Sequence, residues 1–299
     1  MRIISVVLFF FFSTANFVNA QNTGSGAVVV ELFTSQGDIN SPQADRLLSE
    51  IIADAEKNNK PVYCISMHVD FWNRFGWKDP FSSMIYTRRL TNYTSILKEK
   101  ETFTPYIIIN GTKSVAGTDS KKVLSTIESE LKIPTFVQPD FSYTIFDDTL
   151  DITYDSHLKS VSGKAGNDKY IYVAVVEKGL STKVTKGDNI GKTLINDNVS
   201  RLFFTTDLKS SKGLVRVPLK KIKPGVNKSI IFLFRKKQPE KYSEPLPRNL
   251  VISKQSPYNL LLRTFYCLLP LPLPLPLPPE NQPLTQSLFF LSLHLRSWL

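Results

Sequence analysis

The chain has 299 residues, 42% of them hydrophobic and 11% aromatic, which is enough apolar material for a true core and length for about two domains of ~150 residues each. The formal net charge is +11, yet the cations are scattered, with only short runs at Lys220, Lys221 and Lys223 and at Arg235, Lys236 and Lys237. No nucleic-acid-binding signature accompanies them, so nucleic acid is excluded as an expected partner and the runs read as solvated strand ends.

The first twenty residues, "MRIISVVLFFFFSTANFVNA", place Arg2 before an apolar run from Ile3 to Phe12 and end on Val18-Asn19-Ala20. This is the pattern of a secretory signal peptide cut after Ala20. The run is short of the ~20 apolar residues that a stable membrane span requires. The expectation is an exported protein, periplasmic or secreted, followed by a linker over residues 21–27. Only two cysteines are present, Cys64 and Cys267. Cys64 lies in the apolar stretch "PVYCISMH" and reads as a small core residue.

Residues 28–135 read as an α/β domain. Val28 to Phe33 is apolar except for Glu31, as an inner parallel strand requires. Ala44, Leu47, Leu48, Ile51, Ile52 and Ala55 fall on one helical face. Ser41 is expected to cap that helix and Pro42 to sit in its first turn. A second strand at Val62 to Met67 completes a strand-helix-strand unit with a right-handed crossover. An aromatic, irregular stretch with Phe71, Trp72, Phe75 and Trp77 follows, and then a helix carrying Tyr86, Leu90, Tyr93 and Leu97 on one stripe. "YIIING" and "KSVAG" read as a hairpin turning at Asn110-Gly111. A closing helix with Val123, Leu124, Ile127 and Leu131 ends before Pro134.

After residue 136 the periodicity changes. "TLDITYD", "KYIYVAVVEK", "GLVRVPLKKI" and "KSIIFLF" are strand-like with no convincing helix between them, so residues 136–238 read as a small antiparallel β-sandwich-like domain. Residues 239–299 form a low-complexity Leu/Pro-rich tail. Alternating prolines in "LLPLPLPLPLPP" remove backbone donors and exclude helix and inner strand alike. The tail reads as translated non-coding sequence, with a ligand for a proline-binding module as the alternative.

The order of elements, with Thr104-Pro105 before the third strand of the first domain, is that of a thioredoxin-like fold. "VVVELFTSQG", "SPQADRLLSE", "SMHVDFWNRFGWKDPFSS", "TPYIIINGTKSVAG" and "GDNIGKTLINDNVSR" together resemble the exported thioredoxin-like family catalogued as domain of unknown function 1223, over roughly residues 27 to 237. The resemblance implies a thioredoxin-like fold with Pro105 cis and facing the first strand-to-helix turn. It also implies a Cys-x-x-Cys in that turn, directly after the glycine. Here those two positions are Asp38 and Ser41, separated by Ile39 and Asn40.

That substitution bears on the chemistry. Thiol-disulfide exchange needs an attacking thiolate and a resolving thiol, and neither Asp38 nor Ser41 supplies one. The expected function is therefore a redox-inactive exported binding module for a small molecule or an exported protein. Two alternatives stand beside it. One is a thiol-disulfide oxidoreductase, as the family resemblance suggests, with Cys64 or an external thiol substituting. The other is a metal or acid-base site built from Asp38, His68 and Asp70. The candidate cleft residues are Asp38, Ser41, His68, Asp70, Trp72 and Pro105. No catalytic residue, resident metal or cofactor is assigned, because one histidine and two carboxylates lack a metal-ligand spacing.

Overall fold

The computed structural model describes residues 26–134, 139–157, 169–219, 222, 227–236 and 250–255, the last six and residues 235–236 for the backbone only. The expected leader and its expected cut after Ala20, the lysine-rich runs and Cys267 lie outside the described residues and side chains, as does the tail apart from the 250–255 backbone.

The first region follows the expected order. β1 (Val28–Thr34) is buried along its whole length and leads into α1 (Ser41–Lys57), β2 (Val62–His68), a 3-10 turn at Phe71–Phe75 and α2 (Met84–Ile96). β3 (Tyr106–Ile109), β4 (Lys113–Ala116) and α3 (Ser120–Leu131) complete it. β1 runs parallel to β2 in register Val28↔Val62 through Thr34↔His68, and antiparallel to β3. The hairpin turn from β3 to β4 places Asn110 at φ 49° and Gly111 at φ 66°, the left-handed region that Asn and Gly tolerate best. The Asn110 side chain also accepts the Val29 amide at 2.9 Å and donates to Glu130 at 2.9 Å, which ties the turn to β1 and α3.

The strand-only stretch contains β5 (Asp140–Phe146), β6 (Thr149–Asp155), β7 (Lys169–Glu177), β8 (Leu180–Lys183) and β9 (Thr193–Asn196). β10 (Val199–Asp207), β11 (Lys212–Pro218), β12 (Lys228–Lys236) and β13 (Leu250–Gln255) follow. β7, β10, β12 and β13 extend the first sheet, giving one eight-stranded sheet in the order β13-β12-β7-β10-β2-β1-β3-β4. The join is local: Val199 of β10 pairs with Ser66 of β2, the Ser66 amide donates to the Asn198 carbonyl at 2.9 Å, and the Asn198 side chain donates to the Cys64 carbonyl at 2.9 Å. Only β5, β6 and β11 form a separate three-stranded sheet, and β8 pairs with β9 as a hairpin.

Period-two alternation sorts the side chains of the large sheet into two faces. On one face, Val29, Phe33, Ile65, Met67, Tyr172, Ala174 and Ile231 share a core with Leu90 and Tyr93 of α2. On the other, Val28, Val30, Leu32, Ile107 and Ile109 pack against α1 and α3. Further along the sheet, Ile171, Val173, Phe232 and Phe234 meet Tyr143, Ile152 and Val215 of the three-stranded sheet. The result is a mixed α/β architecture with one large sheet and three α-helices among the described residues. None of those helices is long and apolar enough to cross a membrane.

Candidate functional site

The turn between β1 and α1 is closed by hydrogen bonds centred on Asp38, which is almost fully buried. One carboxylate oxygen, Oδ1, accepts the Asn40 amide at 3.0 Å. The other, Oδ2, accepts the hydroxyls of Ser41 and of Thr104, both at 2.7 Å. Thr104 in turn accepts the Trp72 indole N–H at 2.7 Å. Ser41 differs from its expected role. It is the first residue of α1 and does not cap it; Asn40 holds the cap position without a side-chain cap bond. The Ser41 hydroxyl is instead engaged by Asp38 and accepts the Ser35 amide at 3.2 Å.

The Thr104-Pro105 peptide is cis, as expected. Pro105 is buried against Gly117, where an added Cβ would come within 2.8 Å of the Pro105 Cβ and 3.0 Å of the Ala44 Cβ. Asp38, Ser41, Trp72 and the Thr104-Pro105 segment are therefore gathered into one closed network.

His68 and Asp70 go elsewhere. His68, at the end of β2, is fully buried and its Nδ1 lies 2.7 Å from Oδ2 of Asp79. The same Asp79 oxygen accepts the Gln36 amide at 2.8 Å, and its partner oxygen accepts the Phe81 amide at 2.9 Å. Asp70 accepts the Thr87 hydroxyl at 2.5 Å and donates its own amide to that oxygen at 3.0 Å, joining the 3-10 turn to α2. The grouping of Asp38, His68 and Asp70 is thus not formed, and no group of three or more metal-ligating side chains occurs among the described residues. Residues two apart after a strand end diverge here, because the chain leaves the sheet as a 3-10 turn directly after Asp70.

Several functional-looking residues escaped the sequence reading. Asn189 is fully buried and donates from Nδ2 to the carbonyls of both Gln36 and Asp38 at 2.9 Å, pinning the "KGDNIGKT" loop over the turn. Gln36 donates to Asn196 at 2.9 Å and accepts from the Trp77 indole at 3.3 Å. Asp45, one helical turn beyond Ser41, is buried, with Thr34 and Asn196 as the polar side chains that partly offset that burial. Burial pushes its carboxyl up to about 6, against the opposing charge of His68. Burial alone would hold His68 down, but the adjacent Asp79 carboxylate outweighs it and raises the imidazole above its usual value. Asp79, in turn, is held below the usual carboxylate range, because its pairing with His68 outweighs burial. The only sequence signal for these residues was their presence inside the long shared motifs.

The family described as "Protein of unknown function (DUF1223)" matches residues 29–233. The chain belongs to this family. That match covers the closed turn, the Asp79 and Asn189 segments and the strands up to most of β12. A crystal structure of an Agrobacterium tumefaciens protein, determined as a structural genomics target, is similar with a TM-score of 0.54 at 24% identity, covering 79% of this chain and 96% of that one. At that identity the likeness concerns the fold alone. No curated protein matches.

Proposed function

We propose that this DUF1223 protein is an exported, thioredoxin-like scaffold that acts by binding and carries out no dithiol chemistry. Support for the fold reading comes from the strand order β2-β1-β3-β4, with β3 antiparallel, and from the cis proline beside the first strand-to-helix turn. The observation that carries the functional reading is the turn itself. Asp38 and Ser41 occupy the places where the family resemblance implies cysteines, and they spend their polar atoms on each other, on Thr104 and on the local backbone. Cys64 is a poor substitute, since it is buried within β2, away from solvent.

Binding is supported by what surrounds the closed turn. Ile39, Phe103 and Ile190 are exposed large apolar residues. Each is the chain neighbour of a residue in the network: Asp38, Thr104 and Asn189 respectively. Phe75, also exposed, has its ring 5.3 Å from that of Trp72. Apolar side chains concentrated about one feature suit a partner surface better than scattered single exposures do. An apolar segment of an exported protein is the partner that fits this rim.

The test is a thiol-disulfide exchange assay on the protein lacking residues 1–20, alongside the Asp38→Cys, Ser41→Cys double variant. The parent should give no turnover, and the double variant should acquire a low-pKa thiol and measurable disulfide reduction, as a thiol at a helix N-terminus does. Turnover by the parent that is lost in Cys64→Ser would overturn the reading.

A further inference from the structure

We propose that the cavity between α2 and strands β7 and β10 binds a small organic carboxylate with a flat apolar body. The cavity has a volume of about 590 Å³ and shares no residue with the Asp38 turn. That volume lies within the range of small-ligand sites, ~300–1,000 Å³.

Arg89 shapes its polar side. Its Nε–H donates to Glu31 at 2.6 Å, its Nη2 donates to the Tyr93 hydroxyl at 2.9 Å, and Tyr93 donates to the other Glu31 oxygen at 2.6 Å. Glu31 is the one polar residue of β1's otherwise apolar run, and this pairing accounts for its burial. The guanidinium carbon also lies 4.3 Å from the Phe203 ring centroid and 5.2 Å from that of Tyr172. Carboxylate and rings together fix the plane of the guanidinium. A guanidinium has five N–H donors, and two are used here. Arg89 lines the cavity, so a rigid guanidinium fork with donors beyond those two borders it. A carboxylate matches such a fork in geometry.

The charge balance agrees. Glu31 neutralises Arg89, whereas Arg88, exposed on the rim, has no ion-pair partner among the described residues. No acidic side chain lines the cavity. Phe203, Tyr172 and Ile85 provide the apolar wall for a flat ligand body, while Asn92 and Thr205 add polar groups.

The experiment uses saturation-transfer NMR and thermal shift on the full chain, with benzoate as probe and benzyl alcohol and inorganic phosphate as controls. Benzoate is expected to bind and to raise Tm, with benzyl alcohol and phosphate at least tenfold weaker. Arg88→Gln, an exposed change that leaves the Glu31–Arg89 pair intact, should weaken benzoate at least fivefold. Thr205→Phe, which fills the cavity from β10, should abolish binding. The proposal fails if benzoate does not bind, if phosphate binds equally well, or if both variants bind as the parent does.

Discussion

Asp38 shows how a carboxylate is held in the turn between β1 and α1. Near a helix N-terminus its charge is favoured by ~0.3–1 kcal/mol, but the larger effect is structural. It accepts from Asn40, Ser41 and Thr104 and so bridges the turn to the segment carrying the cis proline. Removing it leaves buried donors without acceptors. Asp38→Ala should therefore cost on the order of 3 kcal/mol, and a double-mutant cycle with Thr104→Val should show a coupling of about 1 kcal/mol or more. Urea denaturation measures both, and additive effects would mean that the bridge contributes nothing. Asp45 makes a prediction in pH. Its folded-state pKa is raised from 3.8 to about 6, so the folded protein holds a proton that the unfolded chain has released. The resulting stabilisation is fully present below about pH 4 and lost as pH rises through about 6. The shift of about two units corresponds to on the order of 3 kcal/mol. Asp45→Asn should remove this contribution, so its stability relative to the parent should climb between pH 4 and 7. A difference that stays flat over that window would contradict the assignment. His68 works in a separate window: raised by Asp79, it contributes stability present below about pH 6.5 and lost as pH rises through its folded value.

At the scale of elements, the turn is held from three sides: by α1 through Ser41, by the segment entering β3 through Thr104, and by the loop before β9 through Asn189. Asn189 is the distant member, more than 150 residues away in sequence. Asn189→Ala leaves the Gln36 and Asp38 carbonyls without this donor, and amide exchange in residues 36–41 should accelerate with little change in β1. Unaltered exchange there would show that the loop merely rests on the turn. Packing at the end of β4 is equally constrained. Gly117→Ala drives a Cβ against Pro105 and Ala44, neither of which has a flexible end to swing aside. A loss of ~1–3 kcal/mol is expected from such overpacking. Thermal melts check this, and a neutral result would mean the β4 end shifts freely. Period-two burial in β5 and β6, and the helical stripes of α1 and α2, follow directly from the order of apolar residues.

At the largest scale, the eight-stranded sheet runs through both halves of the family region. The backbone join at Val199 and Ser66 is narrow, but the core beneath it is wide, with Phe33 and Met67 of the first half sharing a cluster with Tyr172, Ala174 and Ile231 of the second. Intrinsic fluorescence, measured in a Trp298→Phe background so that Trp72 and Trp77 report, and far-UV circular dichroism should therefore show one coincident unfolding transition. Two separated transitions would show that the halves fold independently. Much of this was legible in the order of residues. The apolar run of β1, the stripe of α1 and the hairpin at Asn110-Gly111 are all governed by neighbours within a few positions, where periodicity and turn chemistry act, whereas the cis Thr104-Pro105 peptide was expected only from the family resemblance. The absence of thiols at positions 38 and 41 was equally plain. The sheet to which β7, β10 and β12 belong was not, because strand propensity specifies an extended chain and not its lateral partner. Nor were the pairing of His68 with Asp79, the reach of Asn189 to the turn, or the meeting of Arg89 with Glu31, Tyr172 and Phe203. Each of these depends on where a buried polar group finds its partner once water is excluded, and that is decided only when distant segments pack.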